Sequence, residues 1–515
     1  MVLCCRCQLS KTMQPCLIGG RKPCLVCQED IELQRTIQEL QEKRRILRSQ
    51  MNAIHDPFVL AFPPEISSQI FLLSMEKWNY KPYDAQTRNL DTILRKLPTP
   101  FLLGTVCRGW RQLARATPHL WTTLSLTLAK PTKIFLPQAV SDWLQLSGSL
   151  PLAIWIFYKW NKPSSQEICL PVIDIVNQHS KRWRKVVIRH IPPDYLNRFC
   201  GTSPPSSLYD LEVRNCRIDG PPESPLFRMN SKASPTNLIV QKIGFSANSI
   251  GWDNLLSLVM QDSTVEECME IIQRAPLLES CTLLDFNPAL SSIPKTIFRH
   301  MYLRMLDVLW DWGESFVNLI DALECPSLEY FSFKSNINHK VVDSLISLFK
   351  RSGSCLKELK LHGLWDFQLT VEDFRRLYNA VPNLQRLDLH WNEGDGLATV
   401  GDLFQQLSSS APILEGRTPR FLPHLESLTL HLRTLDFRSP AGAGRHIPHI
   451  YSSPHRKILS LELSLMEIKN DDHASTKLSN LIAKGINIRI LKNGNDYLQN
   501  IQVHAQQPSL ANPPT

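Results

Sequence analysis

The chain repeats itself. The pattern Leu-x-x-Leu-x-Leu, with conservative replacements, begins at Trp183, Leu208, Leu278, Leu303, Leu328, Leu356, Leu384, Leu425 and Ile458. Where the starts follow one another without interruption, they lie 25 or 28 residues apart. A fixed period of this size constrains the fold more than any residue propensity does. Each copy holds one strand and a return segment, too little to bury its own apolar edge, so it must lay that edge on the next copy. Before several strands an amphipathic helix is expected, as over 265–275 ahead of Pro276 and 371–381 ahead of Pro382. Proline at that joint stops the helix where the strand must start. The stretches 213–278 and 384–425 depart from the period and are expected to hold insertions or degenerate repeats, with loop-like Ser203-Pro204-Pro205, Gly220-Pro221-Pro222 and 408–419 among them.

If the leucines face the core, the residues between them face the open side of a curved parallel sheet. They are polar almost throughout: Ser280 and Thr282, Tyr330 and Ser332, Glu358 and Lys360, Arg386 and Asp388, Ser427 and Thr429. Stacking the copies in register sets Glu358 beside Arg386 and Lys360 beside Asp388. The same register places His362, His390 and His431 in one column on the concave side. With Tyr330, Trp365 and Trp391 this column is the candidate substrate-binding patch, because histidine and tryptophan together suit an acidic or planar group. The other reading makes the histidines solvated side chains at repeat edges.

Ahead of the repeats comes a different kind of sequence. Phe62-Pro63-Pro64-Glu65-Ile66 reads as a helix start, since proline tolerates the first turn and an acid there suits the helix dipole. Ile66, Ile70 and Leu73 fall on one face of that helix. Leu102, Val106, Trp110 and Leu113, spaced four, four and three, predict a second amphipathic helix, which Thr117-Pro118 ends. Leu120 and Trp121 follow as a large apolar pair. Upstream, 29–54 reads as one helix with Leu33, Ile37, Leu40, Leu47, Met51 and Ile54 at coiled-coil spacing, interrupted by Arg44. Residues 31–54 could pair two copies of the chain or pack back on the helices that follow. Downstream, Leu124, Leu126 and Leu128 alternate as in a strand, and 152–158 is apolar on both faces.

The order of these words, over about the first quarter of the chain, resembles the F-box, and is closest to F-box proteins of mushroom-forming fungi. That resemblance implies a helical module docking to a Skp-type adaptor in a cullin-RING ubiquitin ligase. Carried over onto the matching positions, the adaptor contact would use Pro63, Pro64, Ile66, Ile70, Val106, Trp110, Leu113, Leu120 and Trp121. Phe62 stands where the family usually has Leu, and 77–100 is longer than a minimal F-box requires. The periods behind it match leucine-rich repeats. The expected architecture is therefore α/β: a Cys-rich tail (1–28), an amphipathic helix (29–56), an F-box module (57–127), a leucine-rich-repeat-like solenoid (128–501) and a disordered tail (502–515). The expected function is a substrate-recruiting subunit of a Skp-cullin-F-box ligase, with a leucine-rich-repeat scaffold or sensor free of any ligase as the alternative.

Composition narrows the rest. A net charge of +9 spread over 515 residues lacks the concentrated basic block that nucleic-acid binding requires. No apolar run reaches the ~20 residues of a membrane span, and no secretory signal is read at the amino terminus, so a cytoplasmic or nuclear protein is expected. Six of the 14 cysteines lie in the first 27 residues. Cys4-x-x-Cys7 and Cys24-x-x-Cys27 have the spacing of a structural four-thiolate zinc site, and a tail that binds nothing is the alternative. Otherwise no cofactor is expected. The chain carries no Gly-rich phosphate loop, Gly-x-Ser-x-Gly elbow or His-Glu-x-x-His helix, and is expected not to be an enzyme.

Overall fold

A computed structural model describes residues 25–55, 57–75, 99–128, 136–158, 166–202, 208–214, 233–241, 250–285, 296–309, 315–353, 355–365, 368–393, 396–409, 421–437, 443–452, 456–469 and 472–497. The chain forms two compact units, Met1–Leu124 with Phe135–Leu152, and Ser125–Ile134 with Ala153–Thr515. The first therefore takes in residues beyond the helical stretch 57–127 read from the sequence.

In the first unit, helix α1 (Leu25–His55) is followed by α2 (Pro57–Ala61), α3 (Pro64–Leu73), α4 (Thr99–Val106), α5 (Arg108–Arg115), a 3-10 turn at Pro118–Trp121 and α6 (Leu136–Leu146). Helix α3 starts as its prolines dictate, with Pro63 extended before it and Glu65 in its first turn. The single helix expected over Leu102 to Leu113 is instead two. Cys107 is extended (φ −153°, ψ 177°), and its Sγ accepts the Trp110 amide at 3.4 Å, standing in for the hydroxyl of an ordinary N-cap. Apolar periodicity runs straight through such a cap and cannot register it. Arg111 Nε spans the break by donating to the Gly104 carbonyl at 2.8 Å.

Two aromatic clusters hold these helices. Phe58, Phe71 and Trp110 lie 5.0 to 5.5 Å apart between ring centres, and Phe101, Trp121 and Trp143 lie 4.9 to 5.6 Å apart. Trp121 Nε1 donates to the Ala114 carbonyl at 2.7 Å, which satisfies the one polar atom of its ring.

The second unit is mixed α/β around a large, mostly parallel sheet. Among the described residues fifteen strands follow one another in chain order: β1 (Thr123–Leu128), β2 (Leu152–Tyr158), β3 (Trp183–Arg189), β4 (Asp210–Arg214), β5 (Asn237–Gln241), β6 (Ser257–Gln261), β7 (Ser280–Leu284), then β9 (Met305–Leu309), β11 (Tyr330–Lys334), β12 (Glu358–Trp365), β13 (Arg386–Glu393), β14 (Ser427–Asp436), β15 (Ser460–Lys469), β16 (Ile488–Lys492) and β17 (Asn495–Asp496). The short strands β8 (Phe298–Arg299) and β10 (Leu323–Glu324) pair separately. From β3 to β16 each neighbour is parallel, which requires a crossover between strands.

The apolar triplets of the repeat lie where the period predicts, buried on the helix side: Leu303, Leu306 and Val308, then Leu328, Phe331 and Phe333, then Leu356, Leu359 and Leu361. Expected helices are present at Val265–Arg274 and Val371–Ala380, each begun by a reciprocal capping box, Thr264 with Glu267 and Thr370 with Asp373. The irregular stretch between Val213 and Leu278 contains β5 and β6. Their buried triplets are Pro235, Leu238 and Val240, and Leu255, Leu258 and Met260. Proline at the head of one and methionine at the end of the other hide them from a leucine pattern. One repeat start is displaced: Ile458 is exposed and Leu459 is buried in its place.

Candidate functional site

Alternation along each strand gives the sheet a second face, opposite the leucines. Strand β11 puts Tyr330, Ser332 and Lys334 there, β12 Glu358, Lys360 and His362, β13 Arg386, Asp388 and His390, and β14 Ser427, Thr429 and His431. The observed register pairs Lys334 with His362, His362 with His390, and His390 with His431. The histidine column expected from the repeat phase is therefore formed. Its ring centres are 5.4 Å apart from His362 to His390, 5.0 Å from His390 to His431 and 6.5 Å from His362 to His431.

Asp388 lies at the centre of this group. One carboxylate oxygen is 3.6 Å from His362 Nε2 and the other 3.8 Å from His431 Nε2. Burial alone would raise its pKa, but His362, His431 and Lys360 outweigh that and hold it below the usual carboxylate value. His390 is pushed the other way for an imidazole: burial first, then the neighbouring His431 and His362, lower its pKa. Beside the column Glu358 is shared by two cations, Lys360 at 3.0 Å and Arg386 at 3.1 Å. Lys360 Nζ also lies 5.2 Å from the centre of the Tyr330 ring. Asp307, on β9 beside Ser332, has its carboxyl raised by burial, against the pull of Ser332 and Lys360.

A different histidine shows what a purely architectural role requires. His300 is buried, with Nε2 2.9 Å from the Ala275 carbonyl and Nδ1 accepting the Leu303 amide at 3.1 Å, so both ring nitrogens are used internally. In the column, the neighbours of His362 and His431 are His390, one another and a shared carboxylate.

One residue expected in this patch belongs elsewhere. Trp391 is 5% exposed and points to the helix side, where its ring stacks on Phe374 at 6.0 Å. The cause is position: Trp391 continues the Leu387 and Leu389 series rather than that of His390. Trp365 follows a bulge, because the register shifts between His362, Leu364 and Trp365. Gly363 makes that bulge at φ +99°, where a Cβ would come within 2.0 Å of the Ser335 carbonyl oxygen. Conversely, Asp388 as the hub and Lys334 as a member of the column escaped the sequence reading. Lys334 directly follows the apolar triplet of its repeat, as the histidines do in theirs, and extending the column back one repeat finds it.

The N-terminal unit separates its predicted contact residues into two groups. Pro63, Pro64, Ile66, Ile70 and Val106 are exposed. So are Phe62, Leu73, Phe101 and Leu102, and the large apolar side chains of α3 and α4 in this set range from 39% exposed at Ile70 to 80% at Leu73. Trp110 and Leu113 are half-buried. Leu120 and Trp121 are buried, Trp121 at 3%, so their expected role as exposed anchors is corrected to support of the helices from within. The stripe of α1 is open to water, with Leu33, Ile37, Leu40, Leu47, Met51 and Ile54 all at least half exposed.

Cys4, Cys7 and Cys24 of the expected zinc site lie outside the described residues, and Cys27 falls in the first turn of α1. Among the described residues no group of three or more His, Cys, Asp or Glu is arranged to hold a metal ion. No described helix is long and apolar enough to cross a membrane. No protein-family model matches the chain, and no curated protein matches it.

Proposed function

We propose that this chain is a substrate-recruiting adaptor of a Skp-cullin-F-box ubiquitin ligase, working in the cytoplasm or nucleus. Its N-terminal helices act as an F-box, and its repeats form a leucine-rich-repeat-like solenoid that holds a protein substrate. The observation that carries the first half is the outward apolar surface of α3 and α4. Phe71, Leu103, Ala114, Leu120 and Trp121 already supply the unit with a core, yet Ile66, Ile70, Leu73, Leu102 and Val106 are left facing water. Exposed apolar side chains in this number suit a partner surface, and Ile66, Ile70 and Val106 among them stand at positions where the F-box resemblance puts the adaptor. The strand succession in chain order, with a buried apolar triplet recurring from β3 to β14, supports the second half.

In this reading no residue of the chain performs chemistry. Holding a substrate lysine beside a charged ubiquitin carrier raises its effective concentration, and that is sufficient catalysis for other subunits to complete. The test is capture of a purified Skp-type adaptor by the purified chain. Ile66→Asp with Ile70→Asp should weaken capture by about 100-fold or more, as expected for two anchors of one interface, with the unfolding midpoint unchanged. A correctly folded chain that does not capture the adaptor at all overturns the proposal.

A further inference from the structure

We infer that the outward face of β11 to β14 is a docking site for an acidic peptide segment of a partner protein, and that its three histidines are the contact that makes docking depend on pH. This rests on the reading of the repeats as the partner-binding part of the chain, and adds the chemistry of the partner.

The argument begins with the fixed charges. Lys334, Lys360, Arg386 and, beyond His431 on β14, Arg433 stand on this face against Asp307, Glu358 and Asp388, and further along Glu462 of β15 has Arg489 of β16 3.7 Å away. Lys360 and Arg386 are already committed to Glu358. With neutral imidazoles the face is close to balanced and has little pull on an anion. Protonation changes this by as many as three positive charges, on rings 5.0 to 6.5 Å apart. Asp388 is the one carboxylate within 4 Å of the column among the described residues, and it cannot neutralise three imidazolium ions. The surplus is positive, adjoins Lys334, and is met by a carboxylate from outside.

Geometry favours an extended peptide as the carrier of that carboxylate. Parallel strands stand ~4.8 Å apart, but the outer rings of the column draw together to 6.5 Å, close to the ~6.6 Å between alternate side chains of an extended segment. Nucleic acid is the poorer fit, since the fixed charge of the face is balanced rather than basic. The linkage has a definite sign. An anion bound beside His390 raises its proton affinity, so binding takes up protons. Affinity therefore declines as pH rises and the imidazoles lose their protons.

The test uses the full chain and a rhodamine-labelled hexaglutamate peptide, followed by fluorescence anisotropy at pH 5.5 and 7.5, where the glutamates stay ionised. Binding should be at least about 10-fold tighter at pH 5.5. His362→Gln with His390→Gln and His431→Gln should remove that difference, and His390→Gln alone, the milder change to folding, should reduce it. Asp388→Asn should tighten binding at pH 7.5 several-fold. Equal affinity at both pH values, or an undiminished pH difference in either histidine variant, overturns the inference. Adaptor capture measured on the same preparation is independent of this face, so failure of one reading is distinguishable from failure of the other.

Discussion

Arg189 and Arg214, on β3 and β4, occupy the same repeat position as His362 and His390 on β12 and β13, one residue past the last apolar residue of the triplet. Glu212 occupies the position of Asp388. At each end of the sheet, then, basic side chains gather round one carboxylate on the face opposite the helices. At β3 and β4 the group is buried, with Arg189, Glu212 and Arg214 at 3%, 7% and 8% exposed. Arg189 Nε donates to Glu212 Oε1 at 2.7 Å, and Arg214 Nε is 3.0 Å from the same oxygen. At β12 to β14 the group is half-buried and its bases are imidazoles. The difference teaches that residue type and burial act together: permanent charges taken out of water must be locked to a partner, whereas imidazoles left at the surface can exchange one partner for another.

The contrast can be broken most directly at Glu212. Glu212→Gln leaves two buried guanidinium groups without their carboxylate, and removing one member of a buried ion group typically costs ~3–5 kcal/mol. Urea unfolding of the variant should show a loss in that range. A loss below ~1 kcal/mol would mean that water reaches the cluster freely and that the two ends of the sheet do not differ in kind.

How far the sequence foretells this contrast depends on which interaction sets each feature. The triplets Leu356, Leu359, Leu361 and Leu384, Leu387, Leu389 announce both the strand and its buried side, because alternation and burial are the same physical fact. The histidine column was legible for the same reason, since period and register fix it without any long-range contact. What the pattern could not show is burial imposed by something other than the repeat. Arg189 and His362 hold equivalent positions, and nothing in the strand itself says that one is covered and the other open. The helix break at Cys107 was hidden because it depends on a single Sγ to amide contact, and Trp391 was misassigned because nearness in sequence to His390 places it on the opposite side of the strand.

A second test sharpens the comparison from the exposed end. Asp388→Asn removes the charge at the hub, but its partners are half-exposed and 3.6 to 3.8 Å away. The cost at pH 7 should be under ~1 kcal/mol, the range of solvent-screened ion pairs. Because the folded pKa of Asp388 is lowered, its stabilisation is present above the unfolded carboxylate value and is lost as pH falls through the folded one. Wild type and variant should therefore converge in acid. Denaturant curves of both proteins between pH 5 and pH 3, where the imidazoles are charged throughout, check this, and a gap that widens towards pH 3 would reverse the assignment of the hub.

The smallest effect belongs to His390. Its pKa is below the ordinary imidazole value of 6.5, because of burial and then of His431 and His362, so protonation disfavours the folded chain. The sign follows: above pH 6.5 His390 is neutral in both states and contributes nothing, and as pH falls below 6.5 the unfolded chain takes up the proton first, lowering stability until the folded value is passed. His390→Gln should remove this slope, a gain of a few tenths of a kcal/mol at pH 5 after discounting for solvent screening. An acidic peptide bound to the face should remove the same slope by pairing with the proton instead. Thermal unfolding at pH 5 and pH 7.5, with and without hexaglutamate, compares the two routes. A slope abolished by the substitution but untouched by the peptide would leave the column as a cost to the fold with no ligand to relieve it, and the two ends of the sheet would then differ only in how much water they admit.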